Sequence, residues 1–299
     1  MSKKRCCALT FVKNEKVFLP IWLKYYSKYF NVEDIYVIDH ESDDGSLEEC
    51  LKRYKFNVIK VHNEYYDDIW RLKTAYQKHA ELLQRYEYVL YTDADEIVIP
   101  DPSKYRDLKD YITRHDTDCV ACVAYELIHL RERESPIDLG RPILEQRKYW
   151  YYNGFYNKSP LLRIPLERVY ETGAESKGYG RDNDLWLLHL HKLDFDLCWD
   201  KHMKLAAVKH NPECIKKGLS FQFRINDLKG FTRFFNTRHP DYAKLHTNKL
   251  SIYCLLLDRA FLLLLRGGGC PILACWREFI IKHPVIEKIP RALIRSRVI

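Results

Sequence analysis

The chain has 299 residues, 46% apolar and 30% charged, a globular balance with no low-complexity tract and enough apolar material for a sizeable core. Its net charge of +8 favours an anionic ligand or surface, but Lys and Arg are scattered, which argues against a nucleic-acid partner. Ten cysteines lie mostly inside apolar runs, and Cys119-x-x-Cys122 has no second pair with which to form a zinc site.

The first strand is expected at Cys6–Val12, followed by the polar break Lys13-Asn14-Glu15. Val17, Phe18, Ile21, Trp22 and Tyr25 then recur at helical spacing, with Pro20 near the helix start, where it is tolerated. Asp34–Asp39 reads as a second strand, His40–Ser46 as a turn and Leu47–Tyr54 as a short helix. Phe56–Val61 is a third strand and Trp70–Arg85 a helix.

The organising stretch is Tyr88–Pro100. An apolar run breaks into Asp93-Ala94-Asp95-Glu96 and returns to Ile97-Val98-Ile99. Read as one extended fourth strand, it places the acids at the carboxyl end, where open α/β sheets bind ligands. Asp93 and Asp95 are two apart and in extended backbone point to one side. Paired carboxylates suit a hard divalent cation that bridges to phosphate oxygens. A helix over Tyr105–Arg114 and a fifth strand over Cys119–Ile128 complete the alternation. That alternation predicts an α/β fold with a mainly parallel, doubly wound sheet flanked by helices.

From Arg131 to Asp184 the chain turns polar and aromatic, with Tyr149-Trp150-Tyr151-Tyr152 and Lys158-Ser159-Pro160. Aromatics beside a catalytic edge suit sugar stacking, although each is individually a better candidate for core filling. Gly173, Gly178 and Gly180 mark a mobile loop. In Leu185–Lys192 leucines alternate with His189 and His191, so both imidazoles face one side of a strand, as a metal site would use them. Phe195–Lys209 reads as an amphipathic helix that includes His202, either solvated or functional. Leu250–Leu265 is an apolar helix, too short and too charged at Asp258 and Arg259 to span a membrane. Ile280–Ile299 is an amphipathic basic tail compatible with peripheral contact at an anionic membrane. No signal-peptide core opens the chain, which points to the cytoplasm. The expected division is 1–210 for the catalytic unit and 211–299 for a mainly helical extension packed on it.

The first strand with Lys13-Asn14-Glu15, the Asp39–Ser46 segment and Thr92-Asp93-Ala94-Asp95-Glu96 together resemble the family-2-like glycosyltransferases of the GT-A fold, in the branch with an Asp-x-Asp-Glu motif. The likeness covers residues 5–130 well and continues loosely to His189-Leu190-His191. It implies a nucleoside-diphosphate-sugar donor, a divalent metal (Mn2+, or else Mg2+) and a glycan or glycoconjugate hydroxyl as acceptor. It also implies that Asp39 contacts the base, that Asn14 and Glu15 line the nucleotide pocket, and that Asp93 sits by ribose and metal. Asp95 would ligate the metal, with His189 or His191 completing the shell. His40-Glu41 stands where the family has Asp-Gly, so the base contact departs from the pattern. An inverting transfer also needs a carboxylate base. Among Glu126, Glu171, Glu175, Asp182 and Asp184, the choice falls on Glu175 or Asp182.

Two other classes compete. A sugar-phosphate nucleotidyltransferase would want a Gly-rich phosphate loop near the N-terminus, and Lys13-Asn14-Glu15 has no glycine. A non-catalytic basic protein binding membrane or nucleic acid would not need Asp93, Asp95 and the histidine pair together.

Overall fold

The computed structural model describes residues 3–168, 180–219, 224–236, 286–296 and 298–299. Glu171, Glu175, Gly173, Gly178 and the apolar segment Leu250–Leu265 lie outside them.

The fold is mixed α/β. Strands β1 (Lys4–Val12), β2 (Ile35–Asp39), β3 (Asn57–Lys60) and β4 (Tyr86–Tyr91) form a parallel sheet in the order β3-β2-β1-β4. The short β8 (Leu161–Leu162) adds to β4 antiparallel. Alternate side chains of the central strands feed opposite layers. Ala8, Val12, Ile35 and Val37 pack with helices α1 (Phe18–Tyr26) and α2 (Ser46–Arg53). Cys7, Leu9, Phe11, Tyr36 and Ile38 pack against α3 (Asp68–Leu82). A strand pointing alternately to two apolar layers needs apolar residues at every position, which is why these runs show no polar alternation. Helix α3 starts where the Asp67 carboxylate accepts the Ile69 and Trp70 amides at 2.8 and 2.9 Å. Gly45, at φ 76°, makes the left-handed step into α2.

The Tyr88–Pro100 stretch is not one strand. β4 ends at Tyr91, Thr92–Asp95 turns, and β5 (Glu96–Pro100) joins a second sheet. The turn is pinned from outside: the fully buried Trp22 indole N–H donates to Thr92 Oγ1 at 2.8 Å, and Leu190 N–H donates to the Asp95 carbonyl at 2.7 Å. β6 (Ala121–Ile128) likewise leaves the parallel sheet. It lies in the second sheet, order β10-β7-β6-β9-β5, with β7 at Tyr149–Tyr152, β9 at Arg181–Lys192 and β10 at Ile286–Lys288. Between β5 and β6 runs helix α4 (Leu108–Arg114), and a four-residue helix α5 (Ile143–Gln146) precedes β7.

Trp150 and Tyr151 are buried, and Trp150 stacks on Tyr125 at 4.1 Å, so this aromatic run fills core between the sheets and helices. Helix α6 (Phe195–Ala206) is capped by Asp194, itself held by the fully buried Arg147 at 2.8 Å. α7 (Pro212–Lys216) and α8 (Leu228–Asn236) follow. His202 is buried, with Nε2 2.8 Å from the Ile225 carbonyl, and is not solvated. The basic tail is not one amphipathic helix either. Ile286–Lys288 pairs antiparallel with β7, and the short α9 (Arg291–Arg295) follows. Ile289, Leu293 and Ile299 join the main core, so these apolar groups are spent on the protein and not on a bilayer. No helix among the described residues is long and apolar enough to cross a membrane.

Candidate active site

The Thr92–Asp95 turn joins the carboxyl end of the parallel sheet to the second sheet, and the functional side chains gather there. In the second sheet Glu96 sits opposite His189, and His189 opposite Glu126, across β5, β9 and β6. Residues opposite each other on neighbouring strands share a face. The pairing therefore stands the imidazole between two carboxylates. His189 Nδ1 lies 3.0 Å from Glu126 Oε2, and Asn153 Nδ2 donates to the same oxygen at 3.2 Å. His191, two residues on, presents a ring parallel to that of His189 with centroids 5.6 Å apart. Tyr156 also packs on the His189 ring, centroids 4.0 Å apart.

Asp95 Oδ2 faces both rings, 3.7 Å from His189 Nε2 and 3.6 Å from His191 Nδ1. One ligand atom from each of the three residues lies within 4.8 Å of the others. These N···O separations are too long for hydrogen bonds. They approach the roughly 3.4 Å expected between two ligands of one tetrahedral cation with bonds near 2.1 Å. A carboxylate with two imidazoles is a donor set for a divalent transition metal. Glu126, bonded to the remote nitrogen of His189, leaves Nε2 aimed at Asp95, the arrangement in which a second carboxylate orients a metal-binding histidine. The donor set fits such an ion.

Asp93 does not share this direction. Its Oδ1 accepts from Arg71 Nη1 at 3.1 Å and its Oδ2 from Lys158 Nζ at 2.9 Å. Lys158 also contacts Glu96 at 2.6 Å. The extended backbone expected between Asp93 and Asp95 is replaced by a turn, and the two carboxylates take different partners. Among the described residues the metal-type cluster is Asp95, His189 and His191, without Asp93.

The charges respond to this crowding. Burial works to raise the Asp93 carboxyl, but Lys158 and Arg71 hold it down at about 2. Burial likewise opposes ionisation of Asp95, and Lys201, His189 and His191 overcome it, keeping it well below the usual range. Burial would lower His189, but Glu126 and Asp95 hold its imidazolium up to about 9. Burial pushes Glu15 up to about 7, against the pull of Lys201, whose Nζ lies 2.9 Å from Glu15 Oε2.

The structure thus brings Glu15, Asp93, Asp95, His189 and His191 to one place. Asn14, on the loop that leaves β1, and Asp39, the last residue of β2, sit beside it. Val12 and Asp39 are register partners. Asp39 is buried, and its Oδ1 accepts the Ser42 amide at 3.1 Å. Asn14, at φ 58°, donates its amide to Ser42 Oγ at 3.0 Å and accepts the Asp43 amide at 2.9 Å. Two left-handed non-glycine residues, Asn14 and Glu41, therefore face each other's loops. Asp182 is not brought to the site. It accepts the Tyr111 hydroxyl at 2.7 Å and lies seven residues before His189, about 23 Å back along an extended strand. Glu175 lies outside the described residues. Arg71, Lys158, Lys201 and Asn153 were not foreseen, since each is a lone polar residue whose partners are set only by the fold.

No family model matches the chain, and no curated protein does. Among solved structures it is similar to the mannosyltransferase PcManGT from Pyrobaculum calidifontis in complex with GDP-Man and Mn2+, at 15% identity over 99% of this chain and 85% of that one, TM-score 0.38. It is also similar to S. aureus TarS, at 14% identity over 85% and 47% of the two chains, TM-score 0.31. A third likeness is to a 4-diphosphocytidyl-2C-methyl-D-erythritol synthase, at 13% identity over 73% and 87%, TM-score 0.30. Likenesses this distant decide nothing about activity, and the functional reading rests on the site itself.

Proposed function

We propose that the chain is a divalent-metal-dependent glycosyltransferase of the GT-A type, moving a sugar from a nucleoside-diphosphate donor to a hydroxyl of a glycan or glycoconjugate. The observation that carries this reading is the convergence of Asp95, His189 and His191 where the turn leaves the carboxyl end of the parallel sheet. Asp95, His189 and His191 hold the cation, Mn2+ by preference, since two imidazoles favour a transition metal over Mg2+. Bound there, it supplies Lewis acidity toward the leaving diphosphate. Glu126 fixes the tautomer and angle of His189. Asp39, Asn14 and Glu15 line the nucleotide side. Asp93 serves the ribose side through its fixed pairs with Arg71 and Lys158, not as a cation ligand.

The base of an inverting transfer is assigned to Glu175. The described carboxylates near the cation site are already engaged: Glu126 by His189, Glu15 by Lys201, Asp93 by Arg71 and Lys158, and Glu96 by Lys158. Residues 1–210 are taken as the donor-binding and catalytic unit and 211–299 as its extension. The test is a panel of nucleotide sugars assayed for Mn2+-dependent release of nucleoside diphosphate. The wild type releases it and a folded Asp95→Ala variant does not. Release of pyrophosphate in its place, or release indifferent to Asp95, overturns the reading.

A further inference from the structure

Lys201 stands where a cation's charge is wanted. It projects from α6, whose first turn is locked by Asp194 and Arg147. Its Nζ lies 2.9 Å from Glu15 Oε2 and 3.8 Å from Asp95 Oδ2, and 4.4 Å from the centre of the Phe18 ring. The oxygen it approaches is the one that faces His189 Nε2 and His191 Nδ1. Three nitrogens thus surround one carboxylate oxygen at 3.6 to 3.8 Å, and the third carries a full positive charge. Arg71 and Lys158, the other Lys and Arg side chains at the turn, differ, because both contact Asp93.

A divalent ion bound to Oδ2 at about 2.1 Å, with the ammonium still 3.8 Å from that oxygen, would leave the two cations at most about 6 Å apart in a largely buried space. That repulsion weakens the ion unless an anion screens it. Resting on the functional reading above, we propose that Lys201 makes the cation and the donor's diphosphate bind as a pair. The ammonium balances Asp95 before the ion enters. With both present it gives up Asp95 and takes a phosphate oxygen, while Glu15 keeps its tether. The ligand class is a diphosphate, because two linked phosphates can meet the ion with one oxygen and the ammonium with another. The site therefore discriminates against free metal and favours the metal carried with its donor.

The experiment uses the full chain and two probes, Mn2+ alone and inorganic pyrophosphate. Free Mn2+ is counted by electron paramagnetic resonance, and pyrophosphate binding is followed by calorimetry with and without saturating Mn2+, with the complex formed in buffer as reference. Reciprocity lets either ligand report the coupling. In the wild type Mn2+ tightens pyrophosphate binding by about tenfold or more. Lys201→Met keeps the packed stem and removes the charge. It binds Mn2+ alone about tenfold tighter and loses most of the coupling. If that variant fails to fold with Glu15 unpaired, Glu15→Gln/Lys201→Met supplies the same coupling measurement. Coupling unchanged in either variant overturns the inference while leaving the cation site standing. A wild type that binds no Mn2+ with or without pyrophosphate overturns the functional reading and this inference together.

Discussion

Glu126→Gln probes the site most directly, because it removes one charge and little volume. Glu126 Oε2 lies 3.0 Å from His189 Nδ1, both groups are buried, and Asn153 supports the same oxygen. A hydrogen bond to a charged buried group is worth about 1.5–3 kcal/mol, or roughly 10- to 100-fold in cation affinity. A second effect opposes it. Glu126 and Asp95 hold the His189 proton up to about 9, and a cation must displace that proton. The sign follows: below that value wild-type affinity rises with pH, by about 25-fold from pH 7 to pH 8.5. With Glu126 neutralised the proton leaves more easily, and the same pH step changes affinity far less. The two effects nearly cancel at pH 7, and the variant falls behind as pH rises. Anaerobic Mn2+ titrations by electron paramagnetic resonance at pH 7.0 and 8.5 measure this. Parallel pH profiles for the two proteins, or a variant equal to wild type at pH 8.5, refute the orienting role of Glu126.

Further outcomes follow from the same geometry. Glu175→Gln abolishes transfer while Mn2+ binding stays at the wild-type value, and Asp182→Asn retains turnover within about twofold because its partner is Tyr111, far along β9; loss of turnover in the second and not the first reverses the assignment. His79 is fully buried, and burial, partly offset by the Val89 backbone, pulls it down to about 3. Since the unfolded chain takes up that proton near pH 6.5, the wild type loses about 2 kcal/mol between pH 7 and pH 5 that a His79→Leu variant keeps; urea titrations at the two pH values read the difference, and equal losses refute it. Trp22→Phe leaves Thr92 Oγ1 without its 2.8 Å donor and costs about 1–3 kcal/mol in urea unfolding; a variant as stable as wild type shows that the turn is held elsewhere.

Much of the first half was legible because its physics is local. β1, β2 and β4 are continuous apolar runs that end in polar breaks, and the residues at those breaks are the ones the fold gathers. His189 and His191 share a face because strand periodicity is two, and no distant contact is needed to know it. The Tyr88–Pro100 stretch misled for a non-local reason. Apolar residues on both sides of three acids read as one strand, and the break depends on Trp22 reaching Thr92 from a helix 70 positions earlier. Strand β6 misled similarly, since alternation of strands and helices does not say which sheet a strand joins. Its partner β9 begins only at Arg181. Lys158 and Lys201 carried no periodic signal, because a lone lysine reads the same whether it faces water or a buried carboxylate.

The turn that breaks the strand also separates the two aspartates into different tasks. Had Tyr88–Pro100 stayed extended, Asp93 and Asp95 would have faced one point, and Arg71, Lys158 and Lys201 would have crowded the same two carboxylates. With the turn, Asp93 binds two fixed cations on the parallel-sheet side. Asp95 is left to the histidines of β9 and to the one lysine whose other partner, Glu15, lies on the loop after β1. A rigid, neutralised carboxylate suits a surface that only positions a ligand. A carboxylate shared among two imidazoles and one displaceable ammonium suits a centre whose charge must change during turnover. The division between Asp93 and Asp95 therefore depends on the contacts that pin the turn, Trp22 to Thr92 and Leu190 to Asp95, and a substitution at Thr92, which removes the first, disturbs cation binding without touching any ligand.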